Sequence, residues 1–199
     1  RALYRALAMN PSEFVSLVRA VYRGDGEARR KLTPQEQAYA GRAWSVLRHW
    51  PVLPGLREDG TIDSDQLTEW VRLARTALAE LGRSSIGDEQ IGQVLASSPV
   101  GADGVWPAEE VREIVENLVN TRIDTGLHIG RTNQRGITSR AVYDGGDQER
   151  ALEQEYRNMA AQIATRWPRT ARVLRGIADS YQQEAVHHDT EAERLGDDG

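Results

Sequence analysis

Apolar residues recur at spacings of three and four along nearly the whole chain, and the strict alternation of a half-buried strand is almost absent. That periodicity predicts an all-α fold. Asn10-Pro11-Ser12-Glu13 supplies an N-cap, a proline suited to the first turn and an early acid. Phe14, Leu17, Val18 and Val21 then form one stripe, so a helix is expected from 11 to about 23. Thr33-Pro34-Gln35-Glu36 repeats the start signal, and Tyr39, Ala43, Val46, Leu47 and Trp50 carry an apolar face that Pro51 ends. Asp63 caps a third helix that Gly82 closes, and a shorter one is expected from about 86 to 97. Pro107 is expected to open the next, with Val111, Ile114, Val115 and Leu118 as its stripe. Arg122 to Gln134 reads as helix despite its glycines, and Gly126-x-x-x-Gly130 is assigned to a close helix contact.

Residues 135 to 147 hold three glycines and no sustained period, which separates two blocks. Leu152, Tyr156, Met159, Ile163 and Trp167, then Leu174, Ile177, Tyr181 and Ala185, predict two long helices. Pro168 between them either closes an antiparallel hairpin, the preferred alternative, or kinks one longer helix. The architecture expected is an array of about eight or nine helices. It forms a single helical domain, 1–199, with a subdivision into an array over 1–134, a hairpin over 147–190 and a frayed tail over 191–199.

Composition removes several classes of function. The chain contains no cysteine, which excludes disulfides, thiolate metal sites and a cysteine nucleophile, and fits a reducing, cytoplasmic location. A net charge of −5 opposes a general nucleic-acid-binding role. No run approaches the roughly 20 apolar residues of a membrane span, so a soluble protein is expected. The start at Arg1, without methionine, points to a processed product or a fragment cut from a longer polypeptide. No nucleophile beside a base and no phosphate-cradling glycine loop stands out, so catalytic residues, metal ligands and cofactors are all assigned as none. Glu184-Ala185-Val186-His187 has the spacing of a di-iron ligand pair, but no second copy exists, and it reads as a solvated helix end. The tryptophans at 44, 50, 70, 106 and 167 fall on or beside apolar faces and are assigned to the core.

One internal similarity carries more information. Asp59-Gly60-Thr61-Ile62 with Gln66-Leu67 matches Asp103-Gly104-Val105-Trp106 with Glu110-Val111, forty-four residues later, each between two expected helices. Both resemble the second half of an EF-hand loop, which implies a turn at the glycine and a minimal two-stranded contact between the loops through Ile62 and Trp106. The ligand positions read Gly55, Arg57, Asp59 and Gln66 in the first loop and Pro99, Gly101, Asp103 and Glu110 in the second. Calcium wants six to eight oxygens, so neither loop is expected to bind it.

Thr121 to Arg140 carries a local charge of +3 in an acidic chain. Within it, Arg131, Asn133, Arg135 and Arg140 combine guanidinium forks with an amide, a chemistry suited to phosphate or carboxylate. They are the candidate anion- or partner-binding residues, with intramolecular pairing to nearby acids as the competing role.

The runs Leu53-Pro54-Gly55-Leu56-Arg57-Glu58-Asp59-Gly60-Thr61, Ile91-Gly92-Gln93-Val94-Leu95-Ala96, Trp106-Pro107-Ala108-Glu109, Trp167-Pro168-Arg169-Thr170 and Ala178-Asp179-Ser180-Tyr181 resemble the C-terminal helical region of large uncharacterised bacterial proteins. The resemblance supplies no activity. It implies a detachable helical module whose partner is the rest of the parent polypeptide or another protein. The expected function is therefore a non-enzymatic interaction or regulatory module. The alternative is binding of nucleic acid or a phosphorylated ligand through Arg122 to Arg140.

Overall fold

A computed structural model describes residues 2–134 and 146–197. Among the described residues the chain is all-α, with nine helices and no strand. They are α1 (Ala2–Met9), α2 (Pro11–Val21), α3 (Pro34–Arg48), α4 (Ser64–Glu80), α5 (Ser84–Leu95), α6 (Glu109–Leu118), α7 (Thr121–Gln134), α8 (Asp147–Ile163) and α9 (Pro168–Asp197). None of them is long and apolar enough to cross a membrane. The chain divides into two compact units, 1–134 and 135–199.

In the first unit the start signals act as written. Asn10 Oδ1 accepts from the Ser12 N–H ahead of α2, Thr33 and Glu36 close a reciprocal capping box on α3, and Asp63 caps α4. Phe14 meets Trp50 edge-on at 5.8 Å and tilts against Trp70 at 5.0 Å, which fixes α2 against α4 and the segment after α3. α5 and α7 touch backbone to backbone. A Cβ on Gly92 would stand 2.3 Å from the Ile123 carbonyl oxygen, one on Gly126 2.0 Å from the Glu89 oxygen, and one on Gly130 2.6 Å from the Ala96 Cβ. The glycines of α7 are there for close approach, and α7 is helical because α5 packs on it.

In the second unit α8 and α9 form a hairpin. Trp167 N–H closes the turn on the Ile163 carbonyl at 2.8 Å, and Pro168 stands at the first position of α9, where its missing N–H costs nothing. Tyr156 stacks on Tyr181 at 5.6 Å over a core that includes Ile163, Leu174 and Ile177.

Two features go beyond the expectations, and two expectations need correction. α1 carries no start signal that periodicity could use, and it was not anticipated. α9 runs to Asp197, through the segment expected to fray from 191; Glu, Ala, Arg and Leu are strong helix formers and need no apolar stripe to propagate a helix already nucleated. Pro107 does not open α6. It follows a cis peptide bond after Trp106, and the helix starts two residues later, at Glu109. The two-stranded contact between the Asp-Gly loops is not formed: the one β-bridge among the described residues joins Leu56 to Ile62 inside the first loop.

Candidate functional site

The forty-four-residue repeat is a repeat of backbone hydrogen bonds. In the first loop Arg57 N–H donates to the Thr61 carbonyl at 2.9 Å and Gly60 N–H to the Arg57 carbonyl at 3.2 Å. In the second, Gly101 N–H donates to Val105 and Gly104 N–H to Gly101, both at 2.9 Å. Asp59 and Asp103 each accept the N–H two residues on, from Thr61 at 2.9 Å and Val105 at 3.1 Å. Gly60 and Gly104 sit at φ +84° and +78°, which is why a glycine follows each aspartate. The register breaks at Pro107. Its counterpart Asp63 donates to the Gly55 carbonyl at 2.9 Å; Pro107 has no N–H, so Ala108 donates to the Pro99 carbonyl at 3.0 Å and α6 begins one residue late. The first loop closes on itself through the Leu56–Ile62 bridge, and Trp106 turns inward, its indole N–H donating to the Ser98 carbonyl at 3.0 Å. Each loop therefore satisfies itself instead of pairing with the other.

An arginine faces an aspartate in both loops. Arg57 Nη2 reaches Asp63 at 2.7 Å on the surface, whereas Arg112 is completely buried against the second loop. Among the described residues no group of three or more histidines and carboxylates stands close enough to hold a metal ion.

Of the candidate anion-binding residues, the two described ones, Arg131 and Asn133, are not brought together. Arg131 and Asn133 lie two positions apart on α7, about 200° around a helix. The Arg131 guanidinium lies 4.6 Å from the centre of the Trp106 ring, while Asn133 faces the opposite way, into a cleft. Arg135 and Arg140 lie outside the described residues. Arg122 stands 3.6 Å from Glu89.

That cleft encloses about 220 Å³ and opens to solvent between α3 and the α5–α7 pair. α3 buries only Ala43 and Leu47 among its fifteen residues, so it rests on the neighbouring α2 along a narrow edge. Its flank therefore presents Trp44, 45% exposed, with the Arg48 guanidinium 5.1 Å from the ring centre. Trp44 is the exception to the core assignment of the tryptophans, since the other four are buried. On the far wall the glycine contacts draw α5 and α7 together, which aligns Ile86, Glu89 and Gln93 with Ile129 and Asn133. Tyr22 also lines the cleft. The buried Arg83 holds its carbonyl through Nε at 2.9 Å, and burial, together with the Glu89 carboxylate, raises the Tyr22 phenol above its ordinary value. The signal for this cleft was present in the sequence: Trp44 falls off the stripe made by Tyr39, Ala43, Val46, Leu47 and Trp50.

No family model matches the chain, and neither does any curated protein or solved structure.

Proposed function

We propose that the chain is a non-enzymatic protein-interaction module whose α3–α5–α7 cleft receives an apolar side chain of a partner protein. The observation that carries this reading is the exposure of Trp44 and Ile129 in one cleft. Large apolar side chains left in water beside a concavity are typical anchors of protein interfaces. The volume of about 220 Å³ is below the roughly 300–1,000 Å³ of pockets that enclose small molecules, and matches one protruding side chain better. Arg48, on the rim over Trp44, suits a partner with a carboxylate beside its anchor. In a larger bacterial polypeptide the partner is another part of the same protein or a separate chain.

The test is photocrosslinking from a benzophenone side chain placed at position 44, carried out in the producing cell. A single dominant adduct is expected, abolished by Ile129→Arg on the opposite wall and retained with Leu73→Arg, an exposed apolar position on α4. An adduct that survives Ile129→Arg would remove the cleft from the proposal. Nucleic-acid or phosphorylated-ligand binding through Arg122 to Arg140 has less support, because Arg131 lies on Trp106 and Asn133 faces the cleft. A salt-dependent mobility shift lost in Arg131→Ala would favour it instead.

A further inference from the structure

We infer that the second Asp-Gly loop is a binding site for a guanidinium cation, which the chain fills with its own Arg112. Among the described residues, four acceptors converge on that group. Arg112 Nη1 and Nη2 donate to the two oxygens of Asp103 at 2.6 and 2.8 Å, Nε donates to the Pro107 carbonyl at 2.6 Å, and Nη2 also donates to the Val105 carbonyl. A bidentate carboxylate and two carbonyls arranged around a planar fork match a guanidinium, whereas a calcium shell needs more oxygens and no N–H geometry. The side chain is completely buried, while Asp103 keeps 45% of its side chain exposed, so the site has a solvent-facing carboxylate edge.

The backbone makes room for this group. Gly101 is not one of the positive-φ glycines, so conformation does not require it. A Cβ there would stand 3.0 Å from Arg112 Nη2, 2.8 Å from Asp103 Oδ1 and 3.2 Å from the Val105 oxygen. Gly101 is therefore the floor of the cradle. The same loop carries Trp106, on whose ring Arg131 of α7 lies. The turn's carboxylate is thus balanced by a cation tethered to the same chain.

Shortening the side chain separates the site from its occupant. Arg112→Ala removes every atom beyond Cβ, and ethylguanidinium has the size and charge of what is removed. In the full chain, Arg112→Ala is expected to melt well below the parent, and about 10 mM ethylguanidinium to recover several degrees or, if the variant is unfolded, its helical circular dichroism. Calcium at the same concentration is expected to do neither. The parent protein, its site filled, should melt alike with ethylguanidinium, calcium or chelator. Gly101→Ala, which leaves every charge in place, should lose stability by crowding the fork. Recovery of Arg112→Ala by calcium, no recovery by ethylguanidinium, or an unchanged melt for Gly101→Ala would each overturn the assignment.

Discussion

Val119, at the C-terminal end of α6, is the one residue other than glycine with a positive φ among the described residues, at +46°. A β-branched side chain is a poor occupant of that conformation, and this one is 70% exposed, so little packing repays it. Val119→Gly is expected to stabilise the protein by about 1 kcal/mol, read as a rise of a few degrees in the melt. A fall would mean that the valine packs on something in solution. Asp103 offers the opposite kind of test. The Arg112 fork holds its carboxyl at about 2, below the ordinary 3.8. Because the folded pKa is depressed, the pair's contribution is complete above the unfolded value and is lost as pH falls from near 4 toward 2. The melting difference between the parent and Asp103→Asn is therefore expected to be constant at neutral pH and to shrink across that acid window. A difference unchanged down to pH 2 would show that the pair does not titrate with folding.

At the level of helices, glycine has two unrelated uses, and substitution separates them. Gly41 on α3 has open space where a Cβ would go, so Gly41→Ala is expected to add about 1 kcal/mol from helix propensity alone. Gly126→Ala on α7 would drive a methyl into the Glu89 carbonyl and is expected to cost about 3 kcal/mol. Equal effects in chemical denaturation would contradict the tight α5–α7 packing. The same contrast explains what could be read in advance. Caps and prolines are local chemistry, so the start of α4 at Asp63 and the turn at Pro168 were legible, as was the small-residue spacing of Gly126 and Gly130. The start of α6 was not, because Pro107 is equally at home before a helix and in its first turn, and the Ala108 N–H bond to the Pro99 carbonyl that shifts the register is a contact between residues nine apart. Trp44 was misplaced although its position off the α3 stripe spoke against the core. Periodicity shows which face of α3 is apolar but not how little of that helix its neighbours cover. Two of the candidate anion-binding residues show the complementary limit: closeness in sequence grouped Arg131 with Asn133, and helical rotation set them on different surfaces.

Each of the two units of the molecule has its own aromatic centre, Phe14 with Trp50 and Trp70 in one, Tyr156 with Tyr181 in the other. Residues 1–134 produced alone are expected to keep their helix content and a cooperative melt, since they form a compact unit of their own. A fragment that is helical but melts without cooperativity would show that the hairpin completes the core. The uneven burial of the five tryptophans has an optical consequence as well. Four indoles are buried and Trp44 alone is exposed, beneath the positive charge of Arg48. Emission should therefore resolve into a blue, protected majority and a red minority that iodide reaches easily, drawn in by that arginine. Trp44→Phe should delete the quenchable fraction and leave the remainder untouched. Anything that fills the α3–α5–α7 cleft should shift this red component and shield it from iodide, so the chain carries a built-in dye at the place where its occupant is to be sought.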